Sequence, residues 1–396
     1  MSTPDHWPSI PNEVTSRKLI VGDLNVHIFE CLPLTLTTAP NTKPPLIVLL
    51  HGFPELAYSW RKILVPLAKA GYHVVAPDQR GYGLTTPIST SNNDDAVHRV
   101  AYEDDLRPYH ILNFAADVIS LILALGHEKA HAVVGHDFGS SVAAWTALVR
   151  PDIVERVVLM SAPFGGPPNP SEVESVKEKE DSKAYLVDLF LRKLATPRKH
   201  YTVYYSTPEA NAEMVNPPEG LKAFLRAYYH VKSADWEGNE KPLPAPLALA
   251  MEALPHYYIM PAGLTMPETV RPYFPRGEGC TWLTDEELEV YTSIYSRTGF
   301  QGGLNRYRSM TDETWNAEAG VRVMGGKRIE VPTRFIAGAM DWGTWQVPGT
   351  AEAMRSEKVV KGEIRDEDFV IVEGAGHWVQ QEQPEKVVKA LLDFFA

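Results

Sequence analysis

Cysteine is scarce in this chain: Cys31 and Cys280 are its two cysteines, in 396 residues. So few, so far apart, are not a disulfide framework, and a reducing compartment is the easier reading. Long apolar runs are missing as well. No window approaches the roughly 18–20 apolar residues that a membrane helix needs. Met1 to Asn12 is polar and holds three prolines, without the apolar core of a secretory signal. A soluble, cytoplasmic protein is expected. Positive charge is also short. The formal net charge of −12 repels nucleic acid and anionic membrane surfaces, so neither is expected as a partner. No His/Cys cluster has metal-ligand spacing, and no glycine-rich loop has the spacing for a nucleotide. No metal and no cofactor are expected.

What is present is ordinary globular composition, 44% hydrophobic and 22% charged. The length fits one large core with a sizeable insertion, or two domains. Lys18 to Glu30 reads as an antiparallel hairpin turning near Gly22-Asp23, and residues 33–45 as a Thr/Pro-rich surface loop. Six short apolar runs follow: Pro45–Leu50, Tyr72–Ala76, Ala130–Val134, Arg156–Met160, Thr333–Ala337 and Phe369–Val372. Such runs suit strands buried on both faces of a parallel sheet. Amphipathic segments lie between them: Trp60–Ala70, Ile111–Gly126, Ser140–Arg150 and Pro384–Phe395. In the second, Leu112, Ala116, Ile119 and Leu123 recur at helical spacing. Alternating strand and helix calls for crossover units and a sheet covered on both faces.

The alternation breaks between about Phe164 and Asp312. Prolines mark the joints (Pro163, Pro167, Pro168, Pro170; Pro242, Pro244, Pro246), and tyrosine and tryptophan are frequent. Helical pieces such as Glu172–Leu194 and Asp285–Thr298 occur, but no convincing buried strand. The stretch reads as a helical cap inserted into an α/β core. That divides the chain into a core part over 1–163, a cap over 164–312 and a second core part over 313–396. Ser91–Arg107, with the acidic run Glu103-Asp104-Asp105, reads as a solvated surface excursion.

The chemistry concentrates at Val134-Gly-His-Asp-Phe-Gly139. An apolar strand ends, a Gly-x-Asp-x-Gly follows, and an Ala-rich helix begins. This is the pattern of a nucleophile elbow with aspartate where esterases carry serine. The turn is tight, so Gly135 and Gly139 answer its demand for small neighbours. The helix N-terminus keeps Asp137 ionised and offers backbone N–H groups. The simpler reading, that Asp137 only caps the helix, is weakened by the motifs around it. A carboxylate attacks esters and amides poorly and suits displacement at sp³ carbon. It leaves an alkyl-enzyme ester that water must cleave. A strained epoxide or a carbon–halogen bond is the natural target.

His51-Gly-Phe-Pro-Glu55, Tyr58-Ser-Trp-Arg61, Pro77-Asp-Gln-Arg-Gly-Tyr-Gly83, Gly135-His-Asp-Phe-Gly139 and Gly376-His-Trp378 together resemble the soluble epoxide hydrolases of the α/β-hydrolase superfamily, of fungal or bacterial type. The resemblance runs from the first buried strand to the end of the chain. It implies Asp137 as nucleophile, His377 as the base that activates water, and Asp341 as the acid that orients the histidine. That chain order suits the fold. A neutral imidazole also needs a carboxylate on its other nitrogen to fix its tautomer. The oxyanion hole is expected from the backbone N–H groups of Phe53 and Phe138. A cis peptide is implied before Pro54, and Pro54, Trp342 and Trp378 are candidates to line the substrate pocket. The two tryptophans could instead simply fill space.

Leu304-Asn-Arg-Tyr-Arg308 resembles the cap segment that carries one epoxide-binding tyrosine, which makes Tyr307 the candidate. In His200-Tyr-Thr-Val-Tyr-Tyr-Ser-Thr-Pro208 the family pattern points to Tyr201, with Tyr204 and Tyr205 left open. Phenols there would donate to the oxygen that gains charge as the ring opens. His51 and His136 read as structural residues bonding loop backbone, and Asp78 as a turn residue with a weaker claim to be the triad acid. The reading is therefore an epoxide hydrolase acting on a small-molecule epoxide without a cofactor; the resemblance also implies a homodimer. Two alternatives stay open: a haloalkane-type dehalogenase and a non-catalytic small-molecule receptor on the same fold. Haloalkane enzymes carry tryptophan after the nucleophile, where this chain has Phe138.

Overall fold

The computed structural model describes residues 7–34, 43–88, 99–168, 183–239, 253–275, 280–311 and 324–396. Several expectations fall wholly or partly outside these residues. They include most of the Thr/Pro-rich loop, residues 91–98, residues 172–182 of the helix expected from Glu172, Pro170, Pro242, Pro244 and Pro246, and the boundary at 312/313.

The hairpin forms as β1 (Thr15–Val21) and β2 (Leu24–Cys31), with Val21 opposite Leu24. Gly22 takes φ 58° in the two-residue turn, a conformation that glycine adopts without a Cβ clash. The apolar runs become β3 (Leu46–Leu50), β4 (His73–Pro77), β6 (Ala132–His136), β7 (Val157–Met160), β10 (Thr333–Gly338) and β11 (Phe369–Val372). A two-residue piece, β5 (Thr86–Pro87), pairs with β2, while β8 (Arg198–His200) and β9 (Ile259–Pro261) lie in the cap. The main sheet runs β1-β2-β4-β3-β6-β7-β10-β11. From β4 to β11 every pairing is parallel, and β1 and β2 are antiparallel additions at one edge.

β3 shows why the runs are continuous. Leu46, Val48 and Leu50 enter one core and Ile47 and Leu49 the other. A strand covered on both faces has no polar face to alternate with. Each such side chain contributes about 1.5–3 kcal/mol on burial. β11 departs from the expected double burial: among the described residues it has a sheet neighbour on one side only, and Ile371 is 38% exposed.

Helices α1 (Leu64–Lys69), α2 (Ile111–Ala124) and α3 (Phe138–Val149) follow strands in the first part of the core. The buried stripe of α2 is Ile111, Phe114, Ala115, Val118, Leu121 and Ile122. The stripe expected from Leu112, Ala116, Ile119 and Leu123 was therefore the wrong face, and Leu123 is exposed. Apolar residues occur around most of this helix, and the bulkier Phe114 side turns inward. β3 connects to β4 on one side and lies beside β6 on the other, so the winding reverses there. In an open α/β sheet that reversal leaves a crevice at the carboxyl ends of the two strands.

Between β7 and β10 lie α4 (Lys183–Arg192), α5 (Tyr201–Tyr205), α6 (Ala210–Val215), α7 (Leu221–Val231), α8 (Met266–Val270), α9 (Asp285–Thr298) and α10 (Gln301–Thr311). This is the inserted helical cap, for which the division 1–163, 164–312 and 313–396 is our proposal. The sequence shows no convincing buried strand here; the cap does hold a short ribbon, β8 and β9, which pair antiparallel, with β8 half-buried. Each has three residues, too few to show a period, and Arg198-Lys199-His200 carries no apolar signal. The chain closes with α11 (Thr350–Met354), α12 (Val379–Glu382) and α13 (Pro384–Phe395). Among the described residues, no helix is long and apolar enough to cross a membrane.

Cap and core are joined through buried polar contacts. Arg61 Nε donates to Glu287 Oε1 of α9 at 2.9 Å, and Arg61 Nη1 donates to Gln381 Oε1 of α12 at 2.7 Å. Glu287 also closes the capping box of α9, its Oε2 accepting the Thr284 N–H at 2.9 Å. Burial would raise the Glu287 carboxyl, but Arg61 outweighs that and holds it at about 2. The folded value lies below the ordinary glutamate value of about 4.3, so the ion pair stabilises the fold fully above that pH. Its contribution is lost as pH falls from about 4.3 through the folded value of about 2. Glu287→Gln is expected to cost about 3–5 kcal/mol at pH 7, because it leaves Arg61 buried and unpaired. The deficit against the parent protein should shrink toward pH 2, which urea unfolding at pH 7, 4 and 2.5 would measure.

Candidate active site

β6 ends at His136 and α3 begins at Phe138, so Asp137 alone makes the bend between them. Its φ is 52° and ψ −112°, a left-handed conformation that costs a non-glycine residue about 1–3 kcal/mol. The surroundings enforce it. A Cβ on Gly135 would overlap the Gly139 carbonyl oxygen, and one on Gly139 would overlap that of Leu50. A Cβ on Gly52 would collide with the Asp137 side chain itself. The Asp137 N–H donates to Met160 O at 3.0 Å, which anchors the bend to β7.

The bend turns the Asp137 carboxylate into the crevice, with the side chain 20% exposed. Oδ1 accepts the Phe53 N–H at 3.0 Å, and Oδ2 lies 3.4 Å from His377 Nε2. The Phe138 N–H belongs to the first turn of α3, where no intrahelical acceptor exists. Phe53 lies in the loop after β3, and the Phe53–Pro54 peptide is cis. Burial alone would raise the Asp137 carboxyl. His377, then Lys232 and His136, outweigh it and hold the group well below the usual carboxylate range.

His377 follows β11, and its Nδ1 lies 3.1 Å from Asp341 Oδ1. Asp341 sits just past β10 and is buried, and its Oδ1 also accepts the Gly343 N–H at 2.7 Å. Burial pushes the Asp341 carboxyl up, but His377 and the Gly343 N–H bring it below its ordinary value. Asp78, the weaker claimant for this place, binds elsewhere. It pairs with His27 Nδ1 at 2.8 Å and accepts the N–H groups of Ala57 and Leu84.

Three residues of this site escaped the sequence reading. Glu382 accepts the N–H groups of Gly376 and Trp378 at 2.9 Å each and that of Ala234 in the cap at 2.8 Å. It thereby clamps the His377 loop. Burial raises its carboxyl to about 7 against these three donors. Glu55 pairs with His136 Nδ1 at 2.6 Å and accepts side-chain N–H groups of Gln380 and Gln381 at 2.9 and 3.0 Å. His136 Nε2 in turn lies 2.7 Å from the His377 carbonyl oxygen. Burial opposes charge on His136, but Glu55 outweighs it and raises the ring above its ordinary value, and acceptors at both nitrogens make it more than a backbone ligand. Lys232 is the third; its carbonyl accepts the His377 N–H at 2.9 Å. His51 does bond loop backbone: Nε2 accepts the Gln79 N–H at 3.1 Å and Nδ1 faces Gly52 O at 2.8 Å.

The cap supplies an aromatic roof. The β8–β9 ribbon leads into α5, and the Tyr201 N–H donates to Tyr258 O at 2.9 Å. The Tyr307 ring on α10 lies 5.8 Å from that of Tyr201, 5.0 Å from Phe138 and 5.4 Å from Phe53. Burial pushes both hydroxyls above the ordinary tyrosine value, and the charge on Asp137 adds to it, so both stay protonated. The neighbouring phenols are engaged elsewhere: Tyr204 donates to Glu213 Oε2 at 2.8 Å and Tyr205 to the Tyr228 hydroxyl at 3.1 Å. Trp378 is wholly buried against His377, its indole N–H donating to Tyr229 O at 2.8 Å. Trp342 is partly buried beside Asp341, and Pro54 offers its carbonyl to the Tyr229 hydroxyl at 3.0 Å.

Comparison with known proteins bears on the family and the fold. Residues 45–199 match the family described as alpha/beta hydrolase fold. The chain is 32% identical to epoxide hydrolase A of Mycobacterium tuberculosis over 91% of this chain and 93% of that protein. It is 30% identical to epoxide hydrolase 3 of Siraitia grosvenorii, covering 88% and 91%. Among solved structures it resembles potato (Solanum tuberosum) epoxide hydrolase I at TM-score 0.68 and 29% identity, covering 96% of this chain and 98% of that one. An epoxide hydrolase from an endophytic Streptomyces matches at TM-score 0.69 and 28% identity, covering 97% and 96%.

The packing of the bend makes a prediction. Gly135→Ala should destabilise the protein by about 3 kcal/mol or more, the upper end for overpacking, and abolish activity. Gly263→Ala, where a Cβ would meet nothing within 4 Å, should change stability by less than about 0.5 kcal/mol. Urea unfolding of both variants beside the parent protein checks the contrast.

Proposed function

The chain belongs to the epoxide hydrolases of the α/β-hydrolase fold, and on that premise we propose that it opens its substrate through a covalent ester on Asp137. The observation that carries the reading is a carboxylate at the elbow, 3.4 Å from His377 Nε2 and roofed by tyrosines with protonated hydroxyls. Such a group can attack carbon while an acid faces the leaving oxygen. A serine there would instead call for an acyl substrate.

The epoxide enters between cap and core. Tyr201 and Tyr307 donate hydrogen bonds to its oxygen, and Tyr201 is favoured over Tyr204 and Tyr205 because theirs are spent on Glu213 and Tyr228. Asp137 attacks a ring carbon from the opposite side. A carbon–oxygen bond forms as the ring carbon–oxygen bond breaks, and the electron pair goes to the epoxide oxygen. That oxygen takes a proton from a tyrosine hydroxyl, which solvent later replaces. Oδ1 is already at the Phe53 N–H, so it becomes the ester carbonyl oxygen. His377, its Nδ1 on Asp341, then takes a proton from water, and the hydroxide adds to the carbon of the Asp137 carboxyl. The Phe53 and Phe138 N–H groups hold the resulting oxyanion. Collapse releases a vicinal diol, the proton on His377 passing to the departing alkoxide. The Asp137 carboxyl then loses to solvent the proton that came with the hydroxide, which balances the one solvent returned to the tyrosine, and is a carboxylate again.

A single turnover in heavy-oxygen water should place label in the Asp137 side chain before it appears in diol. Label passing straight into the diol would rule out the ester. His377→Gln should accumulate a mass adduct on Asp137 after mixing with styrene oxide. Tyr201→Phe and Tyr307→Phe should each slow ester formation by about 10²–10³-fold, the usual loss of one such donor, whereas Tyr205→Phe should cost far less. Halide release from a haloalkane, with no diol from styrene oxide, would sink the epoxide assignment.

A further inference from the structure

Lys232 is the C-cap of α7 and only 4% exposed. Its Nζ lies 5.3 Å from the ring centre of Tyr228, 5.8 Å from Tyr257, 5.0 Å from Tyr258 and 5.4 Å from Trp378. Four aromatic faces thus stand where an ammonium would otherwise keep water, and each attracts the cation. Among the described residues it has no carboxylate, carbonyl or hydroxyl as hydrogen-bond partner. A buried cation ordinarily pairs with an anion. Here the negative charge it acts upon is the reacting carboxylate: Lys232 follows His377 among the charges that hold Asp137 ionised. Its place is rigid. Its carbonyl holds the His377 N–H at 2.9 Å, and a Cβ on Gly376 would be only 2.6 Å from that carbonyl oxygen.

We propose that Lys232 is an electrostatic positioning residue that favours the second half of the reaction, the hydrolysis of the Asp137 ester, over the first. The inference rests on the covalent route set out above and follows from its charge balance. In the free enzyme the Asp137 carboxylate offsets the caged ammonium. Ring opening moves that negative charge to the epoxide oxygen, which is then protonated. The ester on Asp137 is neutral, so Lys232 loses the carboxylate it helped to hold ionised, and Asp341 beside His377 is the carboxylate that remains. Addition of hydroxide returns a negative charge to the Asp137 carboxyl, first as the oxyanion and then as the carboxylate. A fixed cation therefore lowers the barrier to hydrolysis relative to the ester. It also stabilises the carboxylate before attack, which slightly restrains the first step. A purely structural lysine would not act on the two steps in opposite directions.

The test is rapid-quench intact mass spectrometry of the whole protein mixed with styrene oxide, which follows ester formation and decay separately. Lys232→Met should slow ester decay at least tenfold, leave ester formation unchanged or up to threefold faster, and raise the ester fraction at steady state. Lys232→Gln repeats the loss of charge in a polar side chain should the methionine variant not fold. Lys232→Arg keeps the charge and should restore decay to within threefold of the parent protein. Equal ester lifetimes in parent and neutral variants would overturn the inference and leave the covalent route standing. So would a parallel slowing of both steps, or a loss confined to KM, which would make Lys232 a substrate anchor. No ester in any of the proteins would overturn the covalent route and this inference with it.

Discussion

The left-handed bend at Asp137 is the constraint on which the site depends. A residue with a side chain holds φ 52° there, and Gly135, Gly139 and Gly52 pack around it too closely for any of them to carry a Cβ. Gly135 and Gly139 let β6, α3 and the end of β3 approach within backbone contact, and Gly52 lets the next loop close over the carboxylate. The same approach brings the Phe53 N–H to Oδ1 and aligns the first turn of α3 behind it. One strained residue thus fixes the proposed nucleophile and the N–H groups that face it together.

Around the bend the charges come in offsetting pairs. Glu55 and His136 form a wholly buried ion pair below Asp137, and Asp341 faces His377 beside it. An isolated charge would be prohibitive at this depth, so each member requires the other. The His136 cation reaches the carbonyl of His377, and the Glu382 carboxylate holds the N–H groups on either side of that residue. His377 is consequently positioned through its own backbone as well as through Asp341. Lys232 is the member whose counter-charge comes and goes with the proposed chemistry.

The cap does more than cover the crevice. Tyr229 and Tyr295 donate to the carbonyls of Pro54 and Glu55 at 3.0 and 3.1 Å, and Tyr291 meets Ser59 at 2.8 Å. These contacts hold the segment that carries the Phe53 N–H. Arg61 adds the ion pair to Glu287 and the bond to Gln381, which lies four residues after His377. Cap, anion-donor loop and histidine loop therefore form one packed unit. A change in cap packing reaches the Asp137 carboxylate through the loop backbone.

What the sequence revealed follows from which of these features are local. The elbow was legible because glycine demand falls at fixed offsets from Asp137, and β3, β6 and β10 because burial on both faces leaves unbroken apolar runs. The face of α2 was misread because a helix apolar around most of its surface carries little directional signal. β8 and β9 were invisible for a different reason: three residues cannot show a period, and their pairing spans a long insertion. Yet that ribbon sets the start of α5 and so the place of Tyr201. Glu55, Glu382 and Lys232 were missed because their meaning lies in partners distant in the chain. Glu55 pairs with His136, and Lys232 finds its cage in Tyr257, Tyr258 and Trp378. A lone lysine after a tyrosine-rich helix reads as a solvated cap residue. Only the fold encloses it, and only then does its charge bear on the Asp137 carboxylate.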